Sequence, residues 1–296
     1  MVLWLTACAG QDAAPILTVT PIAPTAIATL QAPAVFSGDL AYRHVLSQMS
    51  FGPRPSGSAA NRATADYIIA QLQAAGWSAE TQTFVYRGVE ARNIIGRRGG
   101  EGEPIIIGAH FDTRPAADQD KERPAEPVPG ANDGASGVAV LLELARVLDV
   151  SKVGRPVWLA FFDAEDRGRL EGWDWSVGAG YMASHLNVTA RAAVVIDMIG
   201  DADQQIYMEA GSDAELSRQI WEQAAALGYT TFIPSVKWNM VDDHVAFRER
   251  GIPAVLLIDF DYPYWHTTQD TTDKVSADSL ERVGRTLQGW LEAGGK

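Results

Sequence analysis

The run Ile105-Ile106-Ile107 is unbroken and β-branched, so a strand built on it carries apolar side chains on both faces and must be covered on both. A parallel sheet between two helical layers meets that condition, and the chain keeps the matching rhythm. Helical apolar spacing over Val138–Leu148 is followed by a strand over Val157–Phe162, a helix ending at His185 and a strand over Ala193–Asp197. A helix over Ala214–Leu227, a strand over Ala254–Asp259 and a last helix over Ala277–Leu291 complete the series. Ser212, with Glu215 three residues on, is the expected cap of the Ala214 helix. Upstream, Asp39–Met49 and Ala60–Ala75 read as helices, Ser78–Gly88 as a strand, and Asn93–Gly96 and Pro104–Gly108 as two strands flanking a loop. Strands alternating with helices specify a three-layer α/β/α sandwich with a mostly parallel central sheet.

With 296 residues, 47% of them hydrophobic and 21% charged, the chain suits one α/β domain of the larger kind, expected over 38–296. Residues 1–37 read as a signal or lipobox remnant followed by a Pro/Thr/Ala-rich tether. A formal net charge of -13 argues against nucleic acid or an anionic membrane surface as partner, because an acidic protein gains nothing from releasing phosphate counterions. The single cysteine, Cys8, leaves no intrachain disulfide and no cysteine-held metal, so any metal here is bound by His, Asp and Glu. Cys8 stands in Leu5-Thr6-Ala7-Cys8-Ala9-Gly10, which resembles the lipobox of bacterial lipoproteins, although no basic residue precedes Arg43. The implied location is extracytoplasmic, secreted or lipid-anchored to the cell surface, with membrane contact only through a lipid on Cys8.

The chemistry collects around Gly130-Ala131-Asn132-Asp133-Gly134-Ala135-Ser136-Gly137, a small-residue loop with one central carboxylate that can be approached from several sides, as a bridging ligand must be. Four other clusters follow the strands: His110 and Asp112, Glu165 and Asp166, Asp197, and His266 after one loop. Taken singly, each has an ordinary reading as a turn residue or solvated charge. Together they fall at the carboxyl ends of four strands, where open α/β sheets bind ligands. Imidazole and carboxylate oxygen are suitable zinc ligands, and three of them with an open position make a catalytic site. Asp112, two residues beyond His110, is placed to fix the tautomer of a ligating imidazole. Of the adjacent pair Glu165 and Asp166, one can bind metal and the other act as general base.

From about Asp39 to Leu291 the chain resembles the zinc-dependent aminopeptidase superfamily, which includes the glutaminyl-peptide cyclotransferases. The resemblance implies that Asp133, Asp166 and His266 hold one zinc and that Glu165 is the base. It implies that His110 and Asp197 hold a second ion, with Asp133 bridging, if the site is dinuclear. It also implies a cis peptide between Asp133 and Gly134. The stretches HFDTRPAAD, PVPGANDGASGVAVLLELAR, FFDAED, VIDMIGD and VDDHVAFRERGIP are similar to those of bacterial glutaminyl cyclases. The cyclases place a tryptophan before the zinc-binding histidine, here Trp265, and a second in the loop that here holds Trp173 and Trp175. Trp265, Trp173, Trp175 and Tyr264 are thus the expected substrate pocket, and Asp242 and Asp197 the expected catalytic partners of Glu165. Leu256 stands where the cyclases carry a polar partner, a role that Asp259 is placed to take over. The implied activity is zinc-dependent cyclisation of N-terminal glutaminyl residues of peptides or proteins by a monomer carrying one ion. The alternatives are a dizinc aminopeptidase and a noncatalytic surface lipoprotein that keeps the fold for binding.

Overall fold

A computed structural model describes residues 1–3 and 34–295, so Cys8 and nearly all of the tether lie outside the described residues. The elements are α1 (Gly38–Met49), α2 (Ala59–Ala74), β1 (Ser78–Tyr86), β2 (Val89–Arg98), β3 (Ile105–His110), α3 (Ala135–Val147), α4 (Val150–Val153) and β4 (Val157–Phe162). They continue with α5 (Val177–Ser184), β5 (Ala192–Asp197), β6 (Ile206–Glu209), α6 (Ala214–Ala226), β7 (Phe232–Trp238), α7 (Asp243–Arg248), β8 (Ala254–Ile258) and α8 (Ala277–Glu292). Phe36, just ahead of α1, is already buried, and Ser37 caps the helix.

The main sheet has the order β1-β2-β4-β3-β5-β8. Its four strands β4, β3, β5 and β8 are parallel, and the β1–β2 hairpin adds an antiparallel edge. Successive strand side chains point to opposite faces, and both faces are dry. Ile105, Ile107, Leu159 and Ile196 join the core under α1, α3 and α8, while Ile106, Ala160, Val195 and Leu256 meet Met182 of α5 and Phe247 of α7. The unbroken isoleucine run therefore divides between two cores, as a doubly covered strand requires.

Two glycines set the site's geometry. A Cβ on Gly137 would lie 2.8 Å from both Ala109 Cβ and Ile196 O, so its absence lets the start of α3 press against β3 and β5. Gly134 turns the chain into α3 with φ +93, and no cis peptide occurs among the described residues, contrary to the bond expected at Asp133–Gly134.

Three further details depart from the sequence reading. Strand β2 starts at Val89 because Arg87 and Gly88, both at positive φ, close a tight hairpin that pairs Tyr86 with Val89. Helix α6 is capped by Asp213, which accepts from Leu216 N, while Ser212 Oγ bonds Glu209 instead. Strands β6 and β7 form a separate two-stranded parallel sheet, and neither they nor α7 were foreseen.

Candidate metal centre and catalytic pocket

Asp133 is held from beneath by its own backbone. The Asp270 carboxylate accepts from Asn132 N at 2.8 Å and Asp133 N at 3.1 Å, and Asn132 Oδ1 accepts from Gly200 N at 2.7 Å. Arg54, fully buried, donates to the carbonyls of Phe111, Pro129 and Gly130. Sequence reasoning missed Arg54, which lies in the turn-rich Pro53-Arg54-Pro55 stretch far from the loop it braces. Its burial pulls the guanidinium down to about 10, partly offset by the charges of Asp270 and Asp112. Arg54→Met removes the hydrogen bonds to four carbonyls, those of Gly52, Phe111, Pro129 and Gly130, a loss of about 3–5 kcal/mol at roughly 1 kcal/mol each. The expected result is a thermal midpoint lowered by roughly 6–20 °C, read by calorimetry.

Asp112 does more than the sequence suggests. Its backbone carbonyl, not its carboxylate, fixes His110: Nδ1 donates to Asp112 O at 3.1 Å, while the nearer carboxylate oxygen is 3.7 Å away. The carboxylate itself accepts from Glu165 N at 3.0 Å and Asp166 N at 3.1 Å, clamping the two acids that the sequence places side by side.

Two overlapping groups could hold a metal ion: His110, Asp133 and Asp197, and Asp133, Asp166 and His266, each with ligand atoms within 4.8 Å of one another. Asp133 spans both, with Oδ1 3.1 Å from His110 Nε2 and Oδ2 3.7 Å from His266 Nε2. The groups differ in how well their atoms are satisfied. His110 Nε2 and Asp197 Oδ1 hydrogen-bond each other at 3.0 Å. Both oxygens of Asp166, buried and 3.0 Å or more from His266 Nε2, have no hydrogen-bond partner. Arg114 Nη1 stands 3.7 Å from Asp166 Oδ1 without bonding it, and a buried carboxylate lacking hydrogen bonds is costly; a cation between Asp133, Asp166 and His266 satisfies it. The donor set, two carboxylates and an imidazole, fits zinc.

The electrostatics agree. Burial, reinforced by the charge of Asp133, pushes Asp166 up to about 7, and burial with the charge of Asp197 pushes Asp242 up to about 7. Burial, with Asp243 and Asp242 nearby, raises the Glu165 carboxyl well above the usual range. So much buried acid in one place favours a bound cation.

His266 is braced by residues the sequence reading passed over. Its Nδ1 lies 3.3 Å from Asp118 Oδ1, off the line of a hydrogen bond, and Arg114 grips that carboxylate with two donors at 2.7 Å. Both residues stand in the HFDTRPAAD stretch, where their i,i+4 spacing was the available signal.

Beside this cluster lies a pocket of about 380 Å³, lined on its acidic side by Glu165, Asp197 and Asp242. Its apolar wall is aromatic. Trp265 stacks on His266 with centroids 3.8 Å apart, Phe260 meets Trp265 edge-on at 5.0 Å, and Trp238 meets Phe260 at 5.3 Å. Trp175 also lines the pocket, near-parallel to His266 at 6.0 Å. Trp173 does not: it is buried against Phe84 and Ala91 with its ring 5.1 Å from Tyr86. Tyr264 also stays out, packing on Tyr262 with Lys274 over its ring. Asp259 does not replace the missing partner at Leu256, because its carboxylate is engaged by Gln205 N and Asp261 N outside the pocket.

A mostly parallel, doubly covered sheet with imidazoles and carboxylates converging at its carboxyl edge is an α/β architecture with a candidate metal site where such sheets bind ligands. The chain belongs to peptidase family M28, whose profile matches residues 93–291. Among solved structures, the glutaminyl cyclase of Porphyromonas gingivalis is 34% identical with a TM-score of 0.83, covering 87% of this chain and 98% of that one. A Zn-dependent exopeptidase from Parabacteroides distasonis is 31% identical with a TM-score of 0.83, covering 88% and 99%. Among curated proteins, aminopeptidase YwaD of Bacillus subtilis is 26% identical over 66% of this chain, which spans only 42% of YwaD's length. Among the described residues no helix is long and apolar enough to cross a membrane.

Proposed function

We propose that this protein cyclises N-terminal glutaminyl residues of peptides and proteins to pyroglutamate with release of ammonia, using one zinc ion held by Asp133, Asp166 and His266. One observation carries the reading. The ligand group with unsatisfied atoms opens on a pocket that pairs Glu165 with a tryptophan wall stacked on His266. The similarity to the Porphyromonas gingivalis glutaminyl cyclase supports the same assignment.

When bound, zinc supplies Lewis-acid polarisation of the γ-carboxamide carbonyl. The chain's residues do the rest. Glu165 accepts the proton shed by the α-amine as that nitrogen bonds to the side-chain carbonyl carbon, then returns a proton to the amide nitrogen as its bond to the same carbon breaks. Ammonia leaves and the lactam remains, so no water is consumed. Trp265, Trp238 and Phe260 keep competing water from that carbon. Asp112 fixes the backbone of Glu165 and so its reach.

The His110, Asp133 and Asp197 group favours a second reading, hydrolysis of N-terminal residues at a two-ion site, because its three ligand atoms also converge. Mass spectrometry of two peptides incubated with the zinc-loaded protein separates the two. The cyclase reading expects loss of one ammonia from a Gln-initiated peptide and an intact Leu-initiated one. Stepwise shortening of the Leu peptide would establish the aminopeptidase instead. The extracytoplasmic placement rests on the lipobox-like stretch around Cys8.

A further inference from the structure

We propose that Arg169 is a specificity residue that binds a carboxylate carried by the residue following the N-terminal glutamine. That carboxylate is the side chain of Asp or Glu, or the α-carboxylate where this residue ends the peptide. The inference rests on the cyclase reading and adds to it the class of substrate preferred.

The pocket of about 380 Å³ is at the small end of the range for ligand clefts, so it takes the terminal residue while the rest of the peptide leaves across the rim. Arg169 is exposed and is the one Lys or Arg among the residues that line it, in a pocket it shares with Glu165, Asp166, Asp197 and Asp242. The neighbouring cations are already engaged. Arg114 holds Asp118 and lies over Trp175, and Arg167 pairs with Glu171 and lies over Trp173. Arg169 enters none of the ion pairs among the described residues, although the protein carries a net charge of -13.

Its backbone, by contrast, is fixed. Arg169 is held at φ +66, a conformation that costs a non-glycine residue free energy and persists only where its surroundings impose it. Arg169 N donates to Trp173 O at 2.8 Å. The preceding Gly168 lies so close under Trp175 that a Cβ there would sit 2.0 Å from the indole, and its carbonyl accepts from Arg114. The loop thus presents a free guanidinium at one point of the rim. A guanidinium takes a carboxylate through two parallel hydrogen bonds. Without it, an acidic second residue would meet no Lys or Arg among the lining residues, while five carboxylates of its own sign line the same pocket.

The test compares cyclisation of Gln-Glu-Ala-amide, Gln-Ala free acid and Gln-Ala-amide by the zinc-loaded parent, Arg169→Ala and Arg169→Lys. The parent is expected to show a KM about threefold to fivefold lower for one or both carboxylate peptides than for Gln-Ala-amide, with similar kcat. A gain confined to the first peptide identifies the side chain as the source, and one confined to the second identifies the chain terminus. In Arg169→Ala the KM ratio falls to about one, Arg169→Lys keeps part of it, and the parent's preference shrinks as salt rises from about 0.05 to about 0.5 M. Equal KM values for all three peptides in the parent overturn the proposal alone. So does an Arg169→Ala defect of the same factor on all three, which would mark the arginine as balancing the pocket's charge. Release of ammonia from none of them means that the cyclase reading itself has failed, and the proposal falls with it.

Discussion

Glu165→Gln lowers kcat for a Gln-initiated peptide by about 10²–10⁴-fold while metal content stays that of the parent. The substitution removes the proposed proton carrier and little else. Glu165 belongs to neither ligand group, so the ion's three holders remain in place. Its backbone stays clamped, because Asp112 accepts from Glu165 N and Asp166 N whatever side chain follows. Ser176 Oγ, 3.3 Å from Glu165 Oε1, can bond an amide oxygen as well as a carboxylate. KM therefore changes little, and the effect falls on the step in which the α-amine loses its proton. Steady-state ammonia release beside elemental analysis of the same preparation checks both halves. Parental kcat in Glu165→Gln would remove the base from the cyclase and aminopeptidase readings alike.

Much of this arrangement is legible in the sequence because the physics that places it is local. β-branched runs make the buried strands, and in an open α/β sheet the residues at their carboxyl ends converge. His110 and Asp197 close β3 and β5, so the sheet order that sets these strands side by side brings the two residues together. The long helices α1, α2, α6 and α8 announce themselves by apolar spacing. Helix α7 has six residues, too few for a period to emerge, and only its cap at Asp242 marks it. Strand β7 is largely exposed and interrupted by Pro234, so alternation fails there.

Roles that depend on long-range partners were hidden for a different reason. Arg54 braces a carbonyl at Gly130, 76 positions away, and Asp112 clamps backbone at Glu165, 53 positions away. Nothing in either local pattern specifies those partners. Trp173 and Trp175 lie two residues apart, and the turn between Arg169 and Ser176, with three non-glycine residues at positive φ, sends one into the satellite core and the other to the pocket. Spacing cannot distinguish them, because neither strand nor helix periodicity applies within such a turn.

Asp166→Ala abolishes metal binding and turnover together, whereas Asp197→Ala impairs turnover but keeps about one ion per chain. Asp166 contributes two buried oxygens without a hydrogen-bond partner to its ligand group, and its removal leaves only Asp133 and His266 to hold the ion. Two ligands are fewer than the three that catalytic zinc sites use. Stability gives a readout independent of activity. An ion that binds only the folded parent adds about 4 kcal/mol at a thousandfold excess over its dissociation constant. That raises the parent's thermal midpoint by roughly 8–16 °C. Asp166→Ala shows no such rise with added zinc. Asp197 differs in kind. Its carboxylate is already satisfied by His110 Nε2 at 3.0 Å, so its loss frees an imidazole beside the pocket without emptying the Asp133, Asp166 and His266 group. Zinc titration of Asp197→Ala should then give the parent's stoichiometry and the parent's thermal shift. A fall from two ions to one in that variant would show that His110 and Asp197 hold a second metal, and would move the assignment from cyclase to aminopeptidase.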